Sequence, residues 1–255
     1  MKTMKCEIPS DVGYVIPISD IHYGDKAFTK KSKKVLLGNL EWVKNRENAR
    51  IVLVGDLFNG ATRDSKTAPF DQPDSEFEEV LDIFRPYKDK IVTAIDGNHE
   101  ARLEDFANFS IMNAFCMNLG IPYSHLSVAI NFKVNKRPDD KRFRQSYIGY
   151  FHHTTGGGKT MGSKLNRVEE MTKLLSNADF YVGAHHHGLI SSPIVSNEFN
   201  RRTNKVEQKR QQLVGAGGYL EWNESYAERM MLRPVKIGSP RIRLDGNKKD
   251  IHVSI

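Results

Sequence analysis

Residues 91–100 carry the sequence Ile-Val-Thr-Ala-Ile-Asp-Gly-Asn-His-Glu, a short apolar run followed directly by a polar turn. The apolar run is typical of a buried strand, and the glycine favours a turn at its end. Two chemically useful side chains follow the turn, the amide of Asn98 and the imidazole of His99. Glu100 favours the start of a helix, where a negative charge meets the helix dipole.

The same arrangement recurs along the chain, because four other predicted strands also end in histidine or carboxylate residues. The predicted strands are residues 14–19, 51–54, 147–151 and 180–183, and the polar residues that follow them are Asp20 and His22, Asp56, His152 and His153, and His185, His186 and His187. Five loops are therefore expected to meet at one rim. A lone histidine is more often a surface residue, but the ordered set predicts a site for two metal ions.

Hydrophobic spacing predicts helices between these strands. One helix covers Lys33 to Val43, and a second begins after a capping box at Ser75 and Glu78 and ends before Pro86. A third runs from about Ala101 to Leu119, with apolar residues that include Phe106 and Phe109 as core candidates. Beyond Pro122 the pattern is mostly extended, apart from a helix over residues 160–176 and a turn at 245–247.

The size and composition of the chain indicate one soluble domain over residues 1–255. Its 255 residues are 39% hydrophobic, and its mean hydropathy is −0.52. No apolar run approaches the roughly 20 residues that span a bilayer, so we expect no membrane insertion. The first ten residues do not resemble a secretion signal, which predicts a cytoplasmic protein, in the host cytoplasm if a phage encodes it. Cys6 and Cys116 are expected to be ordinary reduced thiols.

A formal charge of +7 and a pI near 9.3 favour polyanionic or phosphorylated partners. Each basic cluster alone is more typical of a solvated surface, and together they keep DNA or RNA as a candidate partner. The clusters are residues 30–34, 136–137, 141–144, 201–202 and 209–210. The aromatic residues Tyr219, Trp222 and Tyr226 are expected to pack in the core, although exposed near the rim they could stack on a base.

Two loops could contact a substrate. Residues 60–75 form a polar, proline-containing loop that could cover the site as a lid. Residues 156–160 (Gly-Gly-Gly-Lys-Thr) are not a nucleotide P-loop, because His153 stands where that motif requires its first glycine. Arg102 and Lys159 are candidate phosphate contacts, with solvent exposure as the alternative for each.

The ordered blocks resemble those of the calcineurin-like metallophosphoesterases, over the stretch from Asp20 to His187. The glycines after His153 resemble the variant found in phage and prophage enzymes of that family. The resemblance implies an α/β fold, a four-layer α-β-β-α sandwich with two mixed central sheets. It also implies the metal ligands, with Asp20, His22, Asp56 and His187 on one ion and Asp56, Asn98, His153 and His185 on the other. The choice of His153 over His152 depends on this likeness.

The resemblance further implies the chemistry. A hydroxide bound to two divalent ions, Mn by expectation with Fe, Zn, Ni or Mg compatible, would attack phosphorus, and His99 would protonate the leaving group. The alternative for His99 is packing against its turn. Asp96 stands where Ser/Thr protein phosphatases have a phosphate-gripping arginine, and Asn59 replaces their aspartate, so protein phosphatase activity is not expected. Ala184 replaces a glycine of the last block.

We therefore expect a phosphodiesterase or nuclease that acts on nucleic acid. A small-molecule phosphomonoesterase is the alternative enzyme. The third hypothesis is a noncatalytic scaffold with the same fold, which the complete set of blocks disfavours. The sequence does not indicate an oligomeric state.

Overall fold

A computed structural model describes residues 1–61, 73–137, 142–156 and 158–255. The strands in these ranges are β1 Lys2–Ile8, β2 Val12–Ile18, β3 Ala49–Val54, β4 Ile91–Ile95, β5 Tyr123–Ser124, β6 Ser127–Lys136, β7 Phe143–His152, β8 Phe180–Gly183, β9 Leu189–Asn200, β10 Lys205–Ala216, β11 Arg241–Asp245 and β12 Ile251–Ser254. The helices are α1 Lys30–Lys44, α2 Pro73–Phe84, α3 Asn98–Ala107, α4 Ile111–Leu119, α5 Met161–Glu170 and α6 Tyr226–Arg229, with 3₁₀ turns at Arg85–Lys90 and Met171–Lys173.

The strands form two mixed sheets of six. One has the order β1-β6-β7-β8-β10-β9, and the other has the order β12-β11-β2-β3-β4-β5. Strands β2, β3 and β4 are parallel neighbours, as are β7 and β8. Parallel neighbours end at the same edge of a sheet, so the loops after β2, β3 and β4 emerge at one edge of their sheet and the loops after β7 and β8 at one edge of the other. These are the loops that carry the predicted ligands.

Three apolar cores hold the layers together. Val15, Val52 and Ile242 from one sheet and Phe132 and Phe180 from the other lie in the core between the sheets. A second core joins the outer face of the β2 sheet to α1, α2 and α4, and a third joins the outer face of the β7 sheet to α5. The predicted α/β sandwich with two mixed central sheets is confirmed.

Helix α1 shows why the local sequence forms these elements. The hydroxyl of Thr29 accepts hydrogen bonds from the N–H groups of Lys31 (3.1 Å) and Ser32 (3.2 Å) and so caps the first turn. Leu36, Leu40 and Val43 follow at helical spacing and are fully buried. No helix in the described ranges is both long enough and apolar enough to cross a bilayer.

The predicted helix over 101–119 is wrong, because the chain forms two helices there. Asn108 adopts a left-handed conformation (φ 50°) that ends α3, and the hydroxyl of Ser110 then caps α4. The break redirects the chain, and Phe106 and Phe109 are 71% and 56% exposed rather than part of the core. Phe115 on α4 is fully buried, as predicted.

Other boundaries also differ from the predictions. Helix α2 begins at Pro73, two residues before the predicted cap at Ser75. The helix predicted over 160–176 ends as α5 at Glu170 and continues only as a 3₁₀ turn. Strand β1 was not predicted, although Met4, Cys6 and Ile8 alternate as in a strand with one buried face. Residues 62–72, which are most of the predicted lid, lie outside the described residues. The same holds for residue 141 of the basic cluster 141–144 and residue 157 of the segment 156–160.

Candidate metal centre

The ligand-bearing loops are tied to one another through their backbones. The N–H of Asp20 donates to the carbonyl of Gly55 (3.1 Å), and the N–H groups of Ile21 and His22 donate to the carbonyl of Asp56 (2.9 and 3.0 Å). These bonds join the loops after β2 and β3 side by side. The side chains of both loops are therefore held at the same edge of the sheet.

Two glycines allow the loops after β3 and β4 to meet. A Cβ at Gly97 would lie 2.1 Å from Asp56 Oδ1, and a Cβ at Gly55 would lie 2.4 Å from the backbone nitrogen of Gly97. Gly55 also has a φ of 81°, a conformation that side-chain-bearing residues rarely adopt. Any larger residue at either position would push Asp56 away from the loop that carries Asn98.

The first group of side chains consists of Asp20, His22 and His187. Asp20 is fully buried, and His187 Nε2 lies 3.3 Å from both Asp20 Oδ1 and His22 Nε2. The hydroxyl of Ser19 donates to Asp20 Oδ2 at 2.7 Å, whereas Asp20 Oδ1 has no hydrogen-bond partner among the described residues. One carboxylate oxygen is thus fixed by hydrogen bonding, and the other faces two imidazole nitrogens.

The second group consists of Asp56, His153 and His185, and Asn98 lies with them. His153 Nε2 is 3.1 Å from Asp56 Oδ2 and 3.2 Å from the side-chain oxygen of Asn98. The same amide oxygen is 2.6 Å from His185 Nδ1. Oxygen and nitrogen donors from four loops therefore point to one place.

Asp56 connects the two groups. Its Oδ2 lies 3.1 Å from His153 Nε2 in the second group and 3.6 Å from His22 Nε2 in the first. Its Oδ1 accepts a hydrogen bond from the N–H of His99 at 2.9 Å. Because one oxygen faces ligands of both groups, this carboxylate is suited to bridge two ions.

The chemistry and spacing of these donors fit divalent metal ions. Ligand atoms that bind one ion at about 2.0–2.2 Å lie roughly 3.0–3.5 Å from one another, and the separations between facing donors here are mostly 3.1 to 3.6 Å. The buried, unpartnered Oδ1 of Asp20 needs a positive partner to offset its lost hydration. Imidazole nitrogens with carboxylate oxygens suit Mn, Fe, Zn or Ni without distinguishing among them.

His153 and its neighbour His152 occupy different surroundings. The Nδ1–H of His153 donates to the carbonyl of Val54 (2.7 Å), which leaves Nε2 free to face Asp56. Nδ1 of His152 instead accepts from the N–H of Thr154 (2.7 Å), and the His152 side chain is half-buried. The structure brings His153, and not His152, together with the other candidate ligands.

The pKa values of the metal-free site follow from burial and close pairing. Burial is the largest effect on His22 and lowers its pKa to about 3. Burial also opposes protonation of His153, but Asp56 outweighs it and raises the pKa of His153 to about 10. Burial works against ionisation of Asp20 and Asp56, yet His187 and His153 respectively hold their pKa values below the usual range. The buried carboxylates are therefore charged and matched by histidines.

Glu100 has a larger role than the predicted start of a helix. It does cap α3, because its Oε2 accepts from the N–H of Gly97 at 2.8 Å. The same carboxylate also accepts from the N–H groups of Asp56 (2.8 Å), Leu57 (2.8 Å) and Phe58 (3.1 Å). Glu100 is buried and crosslinks two ligand loops. No sequence pattern predicts the hydrogen bonds from Glu100 to the loop that carries Asp56.

His99 lies at the edge of the two groups. Its ring is 4.4 Å from that of His22, centroid to centroid, and its Nδ1 contacts the carbonyl oxygen of Asn59. Arg102, a candidate phosphate contact, directs its Nη2 to the carbonyls of Asn59 (3.1 Å) and Gly60 (2.8 Å). The Nη2 of Arg102 is thus engaged with the loop that holds His99. Lys159, the other candidate, is exposed in the loop that leads into α5.

The positions that depart from the family pattern have defined surroundings. Asp96 is buried and accepts hydrogen bonds from the hydroxyl of Tyr123 and from His125 Nδ1 (2.7 Å). A carboxylate paired with an imidazole thus stands where Ser/Thr protein phosphatases have an arginine. The buried Ala184 accepts a hydrogen bond at its carbonyl from Thr154 (2.7 Å).

Of the aromatic residues that follow β10, the two whose side chains the structure describes, Tyr219 and Trp222, do not form an open stacking platform. Tyr219 is fully buried, as predicted, and its hydroxyl bonds Asn39 (3.0 Å) and Ser239 (2.8 Å). Trp222 is half-buried and donates to the carbonyl of Leu232 (2.6 Å). The side chain of Tyr226 lies outside the described part of the chain.

Comparison with known proteins agrees with this geometry. The family model described as calcineurin-like phosphoesterase matches residues 14–189, a stretch that contains all five ligand loops. No curated protein matched the chain significantly.

Proposed function

The chain belongs to the calcineurin-like phosphoesterase family, and from that premise we propose that it is a phosphodiesterase or nuclease that acts on nucleic acid. Membership of this family, together with the clustered aspartate and histidine residues, supports a metal-dependent phosphoesterase. The observation that carries the proposal is the carboxylate of Asp56, which faces both groups of histidines. A shared carboxylate is what a two-ion phosphoesterase site requires.

The ligand roles in this proposal follow from the two groups. Asp20, His22 and His187 would hold one ion, and the other would be held by Asn98, His153 and His185, with Asp56 shared between them. When bound, two divalent ions lower the pKa of a water molecule and neutralise charge on the phosphate. The chain contributes a fixed geometry, because both aspartates are buried and each accepts a hydrogen bond on the oxygen that does not face the imidazole nitrogens.

His99 is proposed to act on the leaving group. Its Nδ1 is engaged by the Asn59 carbonyl, so Nε2 is the nitrogen available to the substrate. A positioned imidazolium there can donate its Nε2 proton to the departing oxygen, which contributes typically about 10²–10⁴-fold to rate. The backbone N–H of His99 donates to Asp56 Oδ1, so the proposed proton donor and the shared carboxylate are held together.

The substrate class is inferred from charge and from Asp96. The net charge of +7 favours polyanions, and the exposed residues Lys26, Lys30 and Lys34 follow the Asp20–His22 loop closely in the chain. Asp96 removes the positive charge that protein phosphatases direct at a phosphomonoester. A diester carries one negative charge fewer than a monoester dianion and needs less neutralisation.

Hydrolysis assays can test the proposal directly. With Mn²⁺ added, the protein should hydrolyse bis(p-nitrophenyl) phosphate faster than p-nitrophenyl phosphate, and EDTA should abolish both activities. His99→Ala should retain its metal but lose about 10²-fold or more in turnover. Unchanged turnover in that variant would remove His99 from the mechanism.

A panel of single-stranded DNA, duplex DNA, RNA and nucleotides then tests the substrate class. Nucleic-acid binding should weaken steeply with salt, because phosphate contacts release counterions. Faster hydrolysis of p-nitrophenyl phosphate and nucleotides, without polymer cleavage, would favour the phosphomonoesterase alternative. Bound metal with no hydrolysis of any substrate would favour the scaffold alternative.

A further inference from the structure

A buried carboxyl group outside the proposed ligand set reaches the loop that holds His99. Glu76 lies on α2 and is only 5% exposed to solvent. Its Oε1 accepts a hydrogen bond from the N–H of Asn59 at 2.8 Å. The same N–H also approaches the carbonyl of Tyr23 at 3.0 Å. Burial of a carboxyl group is unfavourable without such a partner, so this contact fixes Glu76 and Asn59 to each other.

Asn59 in turn fixes His99. Its carbonyl oxygen contacts His99 Nδ1 and accepts from Arg102 Nη2 at 3.1 Å. A carbonyl oxygen can only accept, so the contact with Asn59 places a proton on His99 Nδ1 and leaves Nε2 free. Arg102 Nη2 lies 3.0 Å from the same Nδ1, and we assign its protons to the carbonyls of Asn59 and Gly60, which it also reaches. The Asn59 main chain is therefore bound on its N–H side by Glu76 and on its carbonyl side by His99 and Arg102.

The side chain of Asn59 does not take part in this arrangement. Its Oδ1 is buried without a hydrogen-bond partner among the described residues. In the Ser/Thr protein phosphatases, from which the sequence departs here, the corresponding position is an aspartate. Here a main-chain carbonyl contacts the imidazole, so the orientation of His99 depends on whatever holds that part of the main chain.

Gly60 leaves room for this contact. Its φ is 55°, and a Cβ there would lie 3.0 Å from both the carbonyl oxygen of His99 and the side chain of Leu103. The Gly60 carbonyl accepts from Arg102 Nη2 at 2.8 Å. The turn thus packs closely on α3, and a small shift of the Asn59 main chain would move the acceptor away from the imidazole.

We propose that Glu76 is a positioning residue for His99: it holds the Asn59 main chain so that its carbonyl keeps a proton on Nδ1 and directs Nε2 to the leaving-group oxygen. The imidazolium form of His99 gives its Nε2 proton to that oxygen as the bond from phosphorus breaks, and the neutral Nδ1–H tautomer remains. This inference rests on the proposed phosphoesterase function. It assigns to α2 a role in catalysis that acts through the main chain of a neighbouring loop.

The tautomer of His99 tests the proposal without any turnover. Long-range ¹H–¹⁵N NMR spectra of the metal-free protein, assigned with His99→Ala, should show a protonated Nδ1 and an unprotonated Nε2 on neutral His99. Glu76→Gln keeps the acceptor oxygen and should keep this tautomer, whereas Glu76→Ala should give a mixture. A protonated Nε2 in the wild-type protein would overturn the proposal even if Glu76→Ala failed to fold.

The dependence on the leaving group separates positioning from a general structural role. With Mn²⁺ bound, Glu76→Ala should lower kcat for a phenyl diester about tenfold more than for a p-nitrophenyl diester, because the poorer leaving group needs more protonation. KM should change little, and Glu76→Gln should restore the rates. Glu78→Ala, at an exposed position on the same helix, is the matched control.

Three other results are decisive. Equal loss for both leaving groups with an unchanged tautomer would mean that Glu76 only stabilises the fold. Full activity and an unchanged tautomer in Glu76→Ala would also overturn the proposal. If the wild-type protein hydrolysed no phosphate ester, the proposed function would fail, and the NMR result would still decide whether Glu76 positions His99.

Discussion

Glu76 also makes a specific prediction about stability and pH. Burial raises the pKa of Glu76 to about 8. The hydrogen bond from the Asn59 N–H lowers this pKa in part, and the nearby Glu100 adds to the rise. In the unfolded chain a glutamate titrates near pH 4.3. Between these two values the folded protein keeps a proton that the unfolded chain releases. The stability contributed by the neutral carboxyl is complete below about pH 4.3 and is lost as the pH rises through about 8.

The size of the effect follows from this difference. Each unit of pKa shift corresponds to about 1.36 kcal/mol, so between about pH 5 and about pH 8, where the group is half titrated, Glu76 should lower the free energy of unfolding by about 3.5 kcal/mol. Glu76→Gln removes the titrating group and keeps the hydrogen-bond acceptor. The variant should therefore gain about 3.5 kcal/mol relative to wild type over that pH range.

Urea unfolding of the metal-free protein measures this difference. Tryptophan fluorescence is suitable because Trp42 and Trp222 are both partly buried. The other titrating groups are common to the two proteins and cancel in the comparison, except Glu100, which loses its interaction with the Glu76 carboxylate in the variant. Glu78→Gln, at an exposed site on the same helix, should show no trend with pH. A stability difference between Glu76→Gln and wild type that stays constant from about pH 5 to about pH 8 would refute the reasoning.

Three further predictions concern the metal centre. His153→Ala should bind one ion fewer than wild type by elemental analysis, whereas His152→Ala should bind the full number; equal loss in both would contradict the geometry. Gly97→Ala should displace Asp56, lower metal content and destabilise the protein by about 1–3 kcal/mol, while Gly38→Ala, with open space around it in α1, should be neutral or stabilising in thermal unfolding. Because the pKa of His153 is raised to about 10, metal binding should release a proton and tighten as pH rises toward that value, so calorimetric enthalpies that do not depend on the buffer would argue against it.

Much of the fold could be predicted because the decisive signals are local. Each apolar run ended in a turn, and the runs at residues 51–54, 91–95 and 180–183 are central strands. The break between α3 and α4 was missed because helical spacing of apolar residues outweighed Asn108 and Ser110. Both residues are nevertheless typical of such a break, an asparagine at a left-handed helix end followed by a serine cap.

In the candidate site, too, the features with a local sequence signal could be predicted and the long-range contacts could not. The residue types that supply donors could be predicted, because each follows a strand in the sequence. The contacts that orient them could not, since Glu76, Glu100 and the Asn59 carbonyl act across 17 to 44 positions of the chain. Such contacts leave no periodic pattern, and a buried glutamate in a helix has the same sequence signature as an exposed one.

The backbone at the ligands explains why these contacts are needed. Asp20, His22, Asp56, His185 and His187 all have φ values between 46° and 74°. The left-handed region costs a non-glycine residue roughly 1–2 kcal/mol, so the five together cost on the order of 5 kcal/mol or more. Glycine would remove the strain but also the ligand. The hydrogen bonds between adjacent loops must supply the compensating energy, and they therefore belong to the metal centre as much as the donors do.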